Sequence, residues 1–295
     1  MNKPIHLVMF SGGAGSWAAG RRVVERHGPE DTRLLFADTL MEDEDLYRFL
    51  EEAAADIGAE LIHLTEGRTP WEVFFDERFL GNSRVDPCSK ILKRKFLRRW
   101  LEANYPDPDE VVIYLGIDWT EEHRYHRARP YCEPYKIEAP LCDEPLLDKA
   151  QVLDLMRSRG IKPPRLYDLG FPHNNCGGFC IKAGQAQFKR LLETMPERYA
   201  YHEGKEQEIR SYLNKDVAIL IDRRGGGRKP LTLKDFRLRL VDEGEFDPLD
   251  WGGCGCFSPD DGDDAAPLPE PEEEEEMPVP TWDKPEPPWK DEDRW

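Results

Sequence analysis

The turn Ser11-Gly12-Gly13-Ala14-Gly15-Ser16 directly follows the apolar run Ile5-His6-Leu7-Val8-Met9-Phe10. A short strand that breaks into glycines before a helix aims several backbone N–H groups and a helix N-terminus at one spot, which suits a phosphate. Glycine allows the backbone to approach a ligand there, and Ser11 and Ser16 add hydroxyl donors; a plain tight turn is the other reading of the same residues. Asp38 closes a second apolar run, Arg33-Leu34-Leu35-Phe36-Ala37, where a carboxylate can face a ribose, an adenine amino group or a metal, or cap the next helix. Lys90, Lys93, Arg124 and Arg127 can neutralise phosphate or sulfate, whereas Lys95, Arg98 and Arg99 read as a solvated basic face.

The seven cysteines divide by spacing. Cys132 and Cys142 have no partner at ligand spacing and read as structural. Cys88 opens a basic helix, where the helix dipole and nearby lysines lower a thiol pKa; it is a candidate nucleophile or ligand. Cys176-Gly-Gly-Phe-Cys180 and Cys254-Gly255-Cys256 each combine close cysteines with glycines that permit a tight wrap. Four thiolates in two short clusters suit zinc or an iron–sulfur cluster, against the alternative of two reduced pairs. His173, Asn174 and Asn175 shape the loop before Cys176.

The elements that must position these residues alternate in the first half. Strands are expected over Ile5–Phe10, Arg33–Ala37, Glu60–Leu64 and Val111–Leu115, and helices over Ser16–His27, Glu42–Ile57 and Cys88–Asn104. Apolar strands joined by helices imply a Rossmann-like α/β fold, a parallel sheet covered on both faces. Ligands of such sheets sit at the strand carboxyl ends, where Ser11–Ser16, Asp38-Thr39 and Gly116–Glu121 fall. The second half is less regular: helices over Asp148–Arg159, Cys180–Met195, Pro196–Leu213 and Leu233–Val241, a strand over Val217–Asp222, and a basic glycine-rich loop over Arg223–Lys229. Three segments follow: a nucleotide-binding core over 1–145, a helical, cysteine-bearing region over 146–257, and an acidic, Pro-rich tail over 258–295 that is expected to be disordered.

Composition narrows the class. The chain has 295 residues, 39% of them hydrophobic, and a net charge of −18, of which the tail carries −12. The body is thus only mildly acidic. Bulk charge does not favour nucleic acid as a partner, although basic clusters persist locally. No run approaches the roughly 20 apolar residues of a membrane span. The N-terminus carries no signal-peptide pattern, so a cytoplasmic location is expected, and there cysteines serve as ligands, nucleophiles or core residues rather than disulfides. The tail, with Trp282, Trp289 and Trp295 among acids and prolines, reads as a solubilising segment or a site for a protein partner.

In order along the chain, these residues resemble the phosphoadenosine phosphosulfate reductase family of the PP-loop, or adenine nucleotide alpha-hydrolase-like, superfamily. Ser11–Ser16 resembles the PP-loop. Phe36-Ala37-Asp38-Thr39, with the acids and Tyr47 that follow, resembles the segment after the second strand. Cys88-Ser89-Lys90-Ile91-Leu92-Lys93 is similar to the family's Cys-x-x-x-Leu-Lys helix start, and Gly116-Ile117 with Glu121 and Arg124 to its Gly-Ile-Arg-x-x-Glu segment. Pro145–Asp148, Leu166–Phe171 and the Cys176/Cys180 pair complete the series. Four positions depart: Gly15 stands in place of the loop Asp, Asp118 in place of the Arg after Gly-Ile, Leu40 in place of a Gly, and the cysteine pair is Cys-x-x-x-Cys.

The resemblance implies an adenine nucleotide (ATP or a sulfonucleotide) bound by Ser11, Gly12, Gly13, Gly15, Ser16, Asp38 and Gly116, with Lys90, Lys93, Glu121, Arg124 and Arg127 on the substrate. It implies sulfur chemistry by an oxidoreductase or sulfurtransferase, either sulfonucleotide reduction or sulfur transfer to an activated acceptor, with a thiol or electron-donor protein as partner. Cys88, Cys254 and Asp38 are the catalytic candidates. Some relatives hold a four-iron cluster and others use a C-terminal cysteine as attacking thiolate. The resemblance favours a four-iron, four-sulfur cluster on Cys176, Cys180, Cys254 and Cys256, with zinc as alternative and Cys254 as nucleophile the next choice. The rival reading is a catalytically silent nucleotide-binding protein with a structural metal.

Overall fold

The computed structural model describes residues 3–81, 85–242 and 244–252. Cys254, Cys256 and the expected tail 258–295 lie outside the described residues. The elements run β1 (Ile5–Met9), α1 (Ala14–His27), β2 (Thr32–Asp38), α2 (Glu44–Ile57), β3 (Glu60–Thr65), α3 (Pro70–Asp76), α4 (Pro87–Ser89), a π-helical stretch (Lys90–Lys95), α5 (Phe96–Asn104), β4 (Val111–Leu115), α6 (Glu122–Cys132) and β5 (Lys136–Glu138). They continue as α7 (Lys149–Ser158), α8 (Arg165–Asp168), α9 (Gln185–Thr194), α10 (Pro196–Leu213), β6 (Leu220–Asp222), β7 (Lys229–Leu231) and α11 (Leu233–Asp242).

The first five strands form one parallel sheet in the order β3-β2-β1-β4-β5. Side chains alternate across a strand, and the two faces are both apolar. Val8, Leu34, Phe36 and Tyr114 pack with α1, α2 and α7 on one face. Leu7, Met9, Leu35, Ala37, Ile113 and Leu115 pack with α5 and α6 on the other. The expected α/β sandwich is therefore the observed one. The strand order reverses between β1 and β4, which opens a crevice beyond their carboxyl ends. A second core gathers Trp71 and Phe74 of α3 with Phe179, Phe188, Leu191, Tyr199, Ile209 and Phe236.

Several boundaries differ from the sequence reading, each for a local reason. Helix α1 starts at Ala14, two residues early, because the Ser16 hydroxyl reaches back to the Gly13 backbone, where it accepts from the N–H and donates to the carbonyl. Helix α2 starts at Glu44 and is capped by Asp43, whose carboxylate accepts from the Asp45 N–H at 3.0 Å; Asp38 is not its cap. The expected helix 88–104 is not uniform. A π-helical stretch occupies Lys90–Lys95, and Lys93 is buried while Lys90 is exposed. The helix expected from Cys180 begins at Gln185, because residues 183–186 instead pair with a returning strap. Gly184 N–H donates to Trp251 O, Ala186 N–H donates to Asp250 O, and Ala183 bridges Gly252. The loop 223–229 ends in a strand, β7, antiparallel to β6.

Candidate functional site

Three backbone turns meet at the crevice between β1 and β4. Gly15 and Gly116 touch so closely that a Cβ on Gly15 would lie 2.7 Å from the Gly116 carbonyl oxygen, and one on Gly116 would lie 2.7 Å from the Ser16 nitrogen. This contact requires glycine on both sides and seats the first turn of α1 against the end of β4. Ser16 is turned to structure: its hydroxyl donates to Gly13 O at 2.8 Å and accepts from Gly13 N–H at 3.2 Å. The Tyr167 hydroxyl accepts from Ala14 N–H at 3.1 Å. Asn174 Nδ2 donates to Gly12 O at 2.9 Å, and Asn174 is 3% exposed. Tyr167 and Asn174, read from sequence only as family or loop residues, are thus the two side chains that hold the glycine turn from above.

Asp38 is 1% exposed at the end of β2. One of its oxygens receives the Leu40 N–H at 2.7 Å, the other lies 2.9 Å from His63 Nε2, and the Tyr47 hydroxyl reaches both. Asp38 is therefore the hub of a buried network. The neighbouring Glu42 is also buried, and its burial pushes its carboxyl pKa upward against the pull of Lys93. Glu42 receives the Thr39 hydroxyl at 2.9 Å, lies 3.8 Å from Lys93 Nζ, and accepts the Cys176 backbone N–H. This one carboxylate joins the β2 end, the basic helix and the cysteine turn. The sequence reading listed acids here without singling out Glu42; its signal was only the segment's position after Asp38-Thr39.

The cysteine turn has an unusual backbone. Cys176 has φ +48°, and Gly177 and Gly178 also adopt positive φ. Cys176, Cys180 and Cys88 are partly exposed and pack against the second core. Cys132 and Cys142 sit apart, against the sheet face covered by α5 and α6. Burial raises the Cys132 thiol, and burial with Glu122, Asp118 and Asp143 pushes the Cys142 thiol up to about 11, which keeps both protonated and inert. Among the described residues no group of three His, Cys, Asp or Glu is placed to hold a metal. Of the expected anion binders, Arg124 is paired with Glu121 at 2.6 Å, and Lys90 and Arg127 are exposed.

The family model of the phosphoadenosine phosphosulfate reductase domain matches residues 5–179, more than half of the chain. The chain belongs to the phosphoadenosine phosphosulfate reductase domain family. Its matched span holds the whole sheet, the glycine turn, Asp38, Glu42, Cys88 and Cys176, and ends one residue before Cys180. Among solved structures, phosphoadenylyl-sulfate (PAPS) reductase from Candida auris, in a phosphate complex, is similar at 18% identity, with 58% of this chain and 79% of that chain covered and a TM-score of 0.39. No curated protein sequence matches the chain. Membership gives a PAPS reductase-like domain and, at the level of the family, nucleotide-related sulfur chemistry. No helix among the described residues is long and apolar enough to cross a membrane.

Proposed function

We propose that the chain binds an adenine sulfonucleotide, with its phosphate on the Ser11–Ser16 turn, and reductively cleaves it. The observation that carries this reading is the bond from the Cys176 N–H to Glu42, which ties the cysteine turn to the strand ends where nucleotides bind. A thiolate attacks the sulfuryl sulfur, the bond from that sulfur to the phosphate oxygen breaks, and the adenosine phosphate leaves. A second thiol, from a dithiol partner protein, then attacks the enzyme's cysteine sulfur; sulfite leaves and a disulfide forms, so two electrons come from the thiols. Cys88 is the candidate attacking thiol where Cys254 ligates a cluster, and Cys254 is the candidate where it does not. Lys93 and the backbone N–H groups of the turn offset the charge of the phosphosulfate. Such thiol chemistry suits a reducing, cytoplasmic setting.

Cys176, Cys180, Cys254 and Cys256 would hold an iron–sulfur cluster. A bound cluster supplies a polarising, redox-active iron centre beside the nucleotide. The donor type supports this ligand set, as does a turn in which Cys176, Gly177 and Gly178 all take positive φ. Gly252, which bridges Ala183, stands two residues before Cys254 in the sequence. A silent nucleotide binder is the second reading. It is favoured by Asp38, whose oxygens are already met by Leu40, Tyr47 and His63.

The test is anaerobic assay of sulfite release from adenosine 5′-phosphosulfate and its 3′-phosphorylated form, with metal and acid-labile sulfide analysis of the same protein. Sulfite release that is lost in Cys88→Ser at unchanged metal content supports the reductase with Cys88 as nucleophile; loss in Cys254→Ser names Cys254 only in protein that binds no cluster. Tight nucleotide binding without sulfite release supports the silent binder. About four irons and four sulfides per chain support the cluster; zinc alone makes the cysteines structural.

A further inference from the structure

Helix α10 lies wholly beyond the span that matches the family, yet one of its side chains enters the site. Arg198 is 2% exposed. Its Nη2 donates to the Met41 and Glu42 carbonyls at 3.0 and 2.9 Å, and its Nη1 approaches Asp43 Oδ2 at 3.4 Å. Its guanidinium also lies flat on the Gly177 backbone: a Cβ on Gly177 would sit 2.1–2.3 Å from three guanidinium atoms. One planar cation therefore touches both the 39–43 loop after β2 and the turn that carries Cys176. Four residues on, His202 stacks on Phe179 at 4.0 Å and accepts from Trp71 Nε1 at 3.0 Å, which clamps the far end of the same turn.

A guanidinium suits this place for a physical reason. It offers donors in a rigid fork and an apolar face that a compact ammonium lacks. The carbonyls it binds belong to the two peptide groups that flank the Glu42 Cα, so its bonds fix the backbone from which the Glu42 carboxylate reaches Cys176. Asp43, which caps α2, is held by Arg165 as well, at 2.8 Å, so the loop has a second anchor and does not depend on Arg198 for its existence.

We infer that Arg198 is a positioning residue that locks the Cys176 turn to the 39–43 loop, so that occupancy of the nucleotide site is felt at the cysteines; the second clause rests on the function proposed above. Region 180–252 is then part of the working site and not an appendage.

The experiment is hydrogen exchange on the full-length protein, as wild type, R198K and R198M, with and without ATP or adenosine 5′-phosphosulfate. In R198M, exchange over 39–43 and 174–179 is expected to rise about tenfold or more while 111–115 stays within about twofold, because bonds to a buried charged donor are lost locally. R198K, which keeps the charge but not the fork, is expected to fall between, and it also serves as the second variant if R198M does not fold. In wild type, nucleotide slows exchange at both 10–16 and 174–179; in R198M, only at 10–16. Wild-type exchange at 174–179 in both variants, or acceleration of every element together, overturns the locking role. Protection of wild type confined to 10–16 overturns the coupling. If wild type binds neither nucleotide, the proposed function and the coupling fall, while the locking role is still decided by exchange without ligand.

Discussion

At the junction of β1 and β4 the site is made of backbone: glycine turns, N–H groups and the Gly15–Gly116 contact, with apolar side chains from Leu7 to Leu115 behind them. At the second core the equivalent work falls to buried polar side chains. Arg198 binds carbonyls, Glu206 accepts the Ile219 and Leu233 N–H groups at 3.0 and 2.6 Å, and Arg239 donates to Gln185 at 2.8 Å. A sheet of aliphatic residues tolerates volume-conserving exchange, whereas a buried charge is costly once its partner is gone. The first region therefore gives a durable platform. The second gives a turn whose position depends on a few named groups, which suits the part of the molecule that carries the cysteines.

The largest expected effect tests whether the second core stands or falls by itself. Phe179 is 1% exposed between His202 and Trp71. Phe179→Ala is expected to cost about 3–5 kcal/mol, read by urea denaturation, and to speed hydrogen exchange over 185–213 far more than over 111–115. Equal acceleration in both would erase the distinction between the regions.

Next comes Glu206, whose carboxyl is pushed up to about 7 by burial, against the pull of its two N–H donors. A raised folded-state pKa means that the stability it contributes is full below its ordinary range and is lost as pH rises through 7. Wild type should lose up to about 3 kcal/mol from this group between pH 5 and pH 8.5. Glu206→Gln should remove that slope, as seen in chemical denaturation at each pH. An unchanged slope would show that the second core does not depend on this carboxyl.

The smallest effect belongs to the sheet. His6 and His27 stack at 3.6 Å and share the Tyr114 hydroxyl, at 2.9 and 3.1 Å. Burial lowers the pKa of both, with mutual repulsion adding at His6. Their folded-state values lie below their unfolded ones, so the stability they give is present above about pH 6.5 and lost as pH falls below it. His6→Gln should shallow the acid limb of the melting temperature by a few degrees.

Much of the first region was legible because its signals are local. Val111–Leu115 is an unbroken apolar run and became β4 with the same ends, and the glycine turn after β1 announced itself by composition. The five-stranded count was not legible: β5 is three residues, Lys136–Glu138, too short for any period to show. The inward turn of Lys93 was hidden as well, since helical periodicity assumes 3.6 residues per turn and the π-helical stretch departs from it. Helix α10 was read with its correct ends, Pro196–Leu213, but not its role. Its buried face includes Arg198, His202 and Glu206, so polarity pointed to solvent where the fold supplies partners far away in sequence.

The most direct test of the central claim is calorimetric titration of adenosine 5′-phosphosulfate and ATP into wild type and Gly116→Ala, each checked for folding by its melting curve. The account predicts binding to wild type and its loss in a folded Gly116→Ala protein, because the added methyl forces the glycine turn away from the end of β4. Equal binding to both, or none to wild type, would contradict the placement of the nucleotide on this turn.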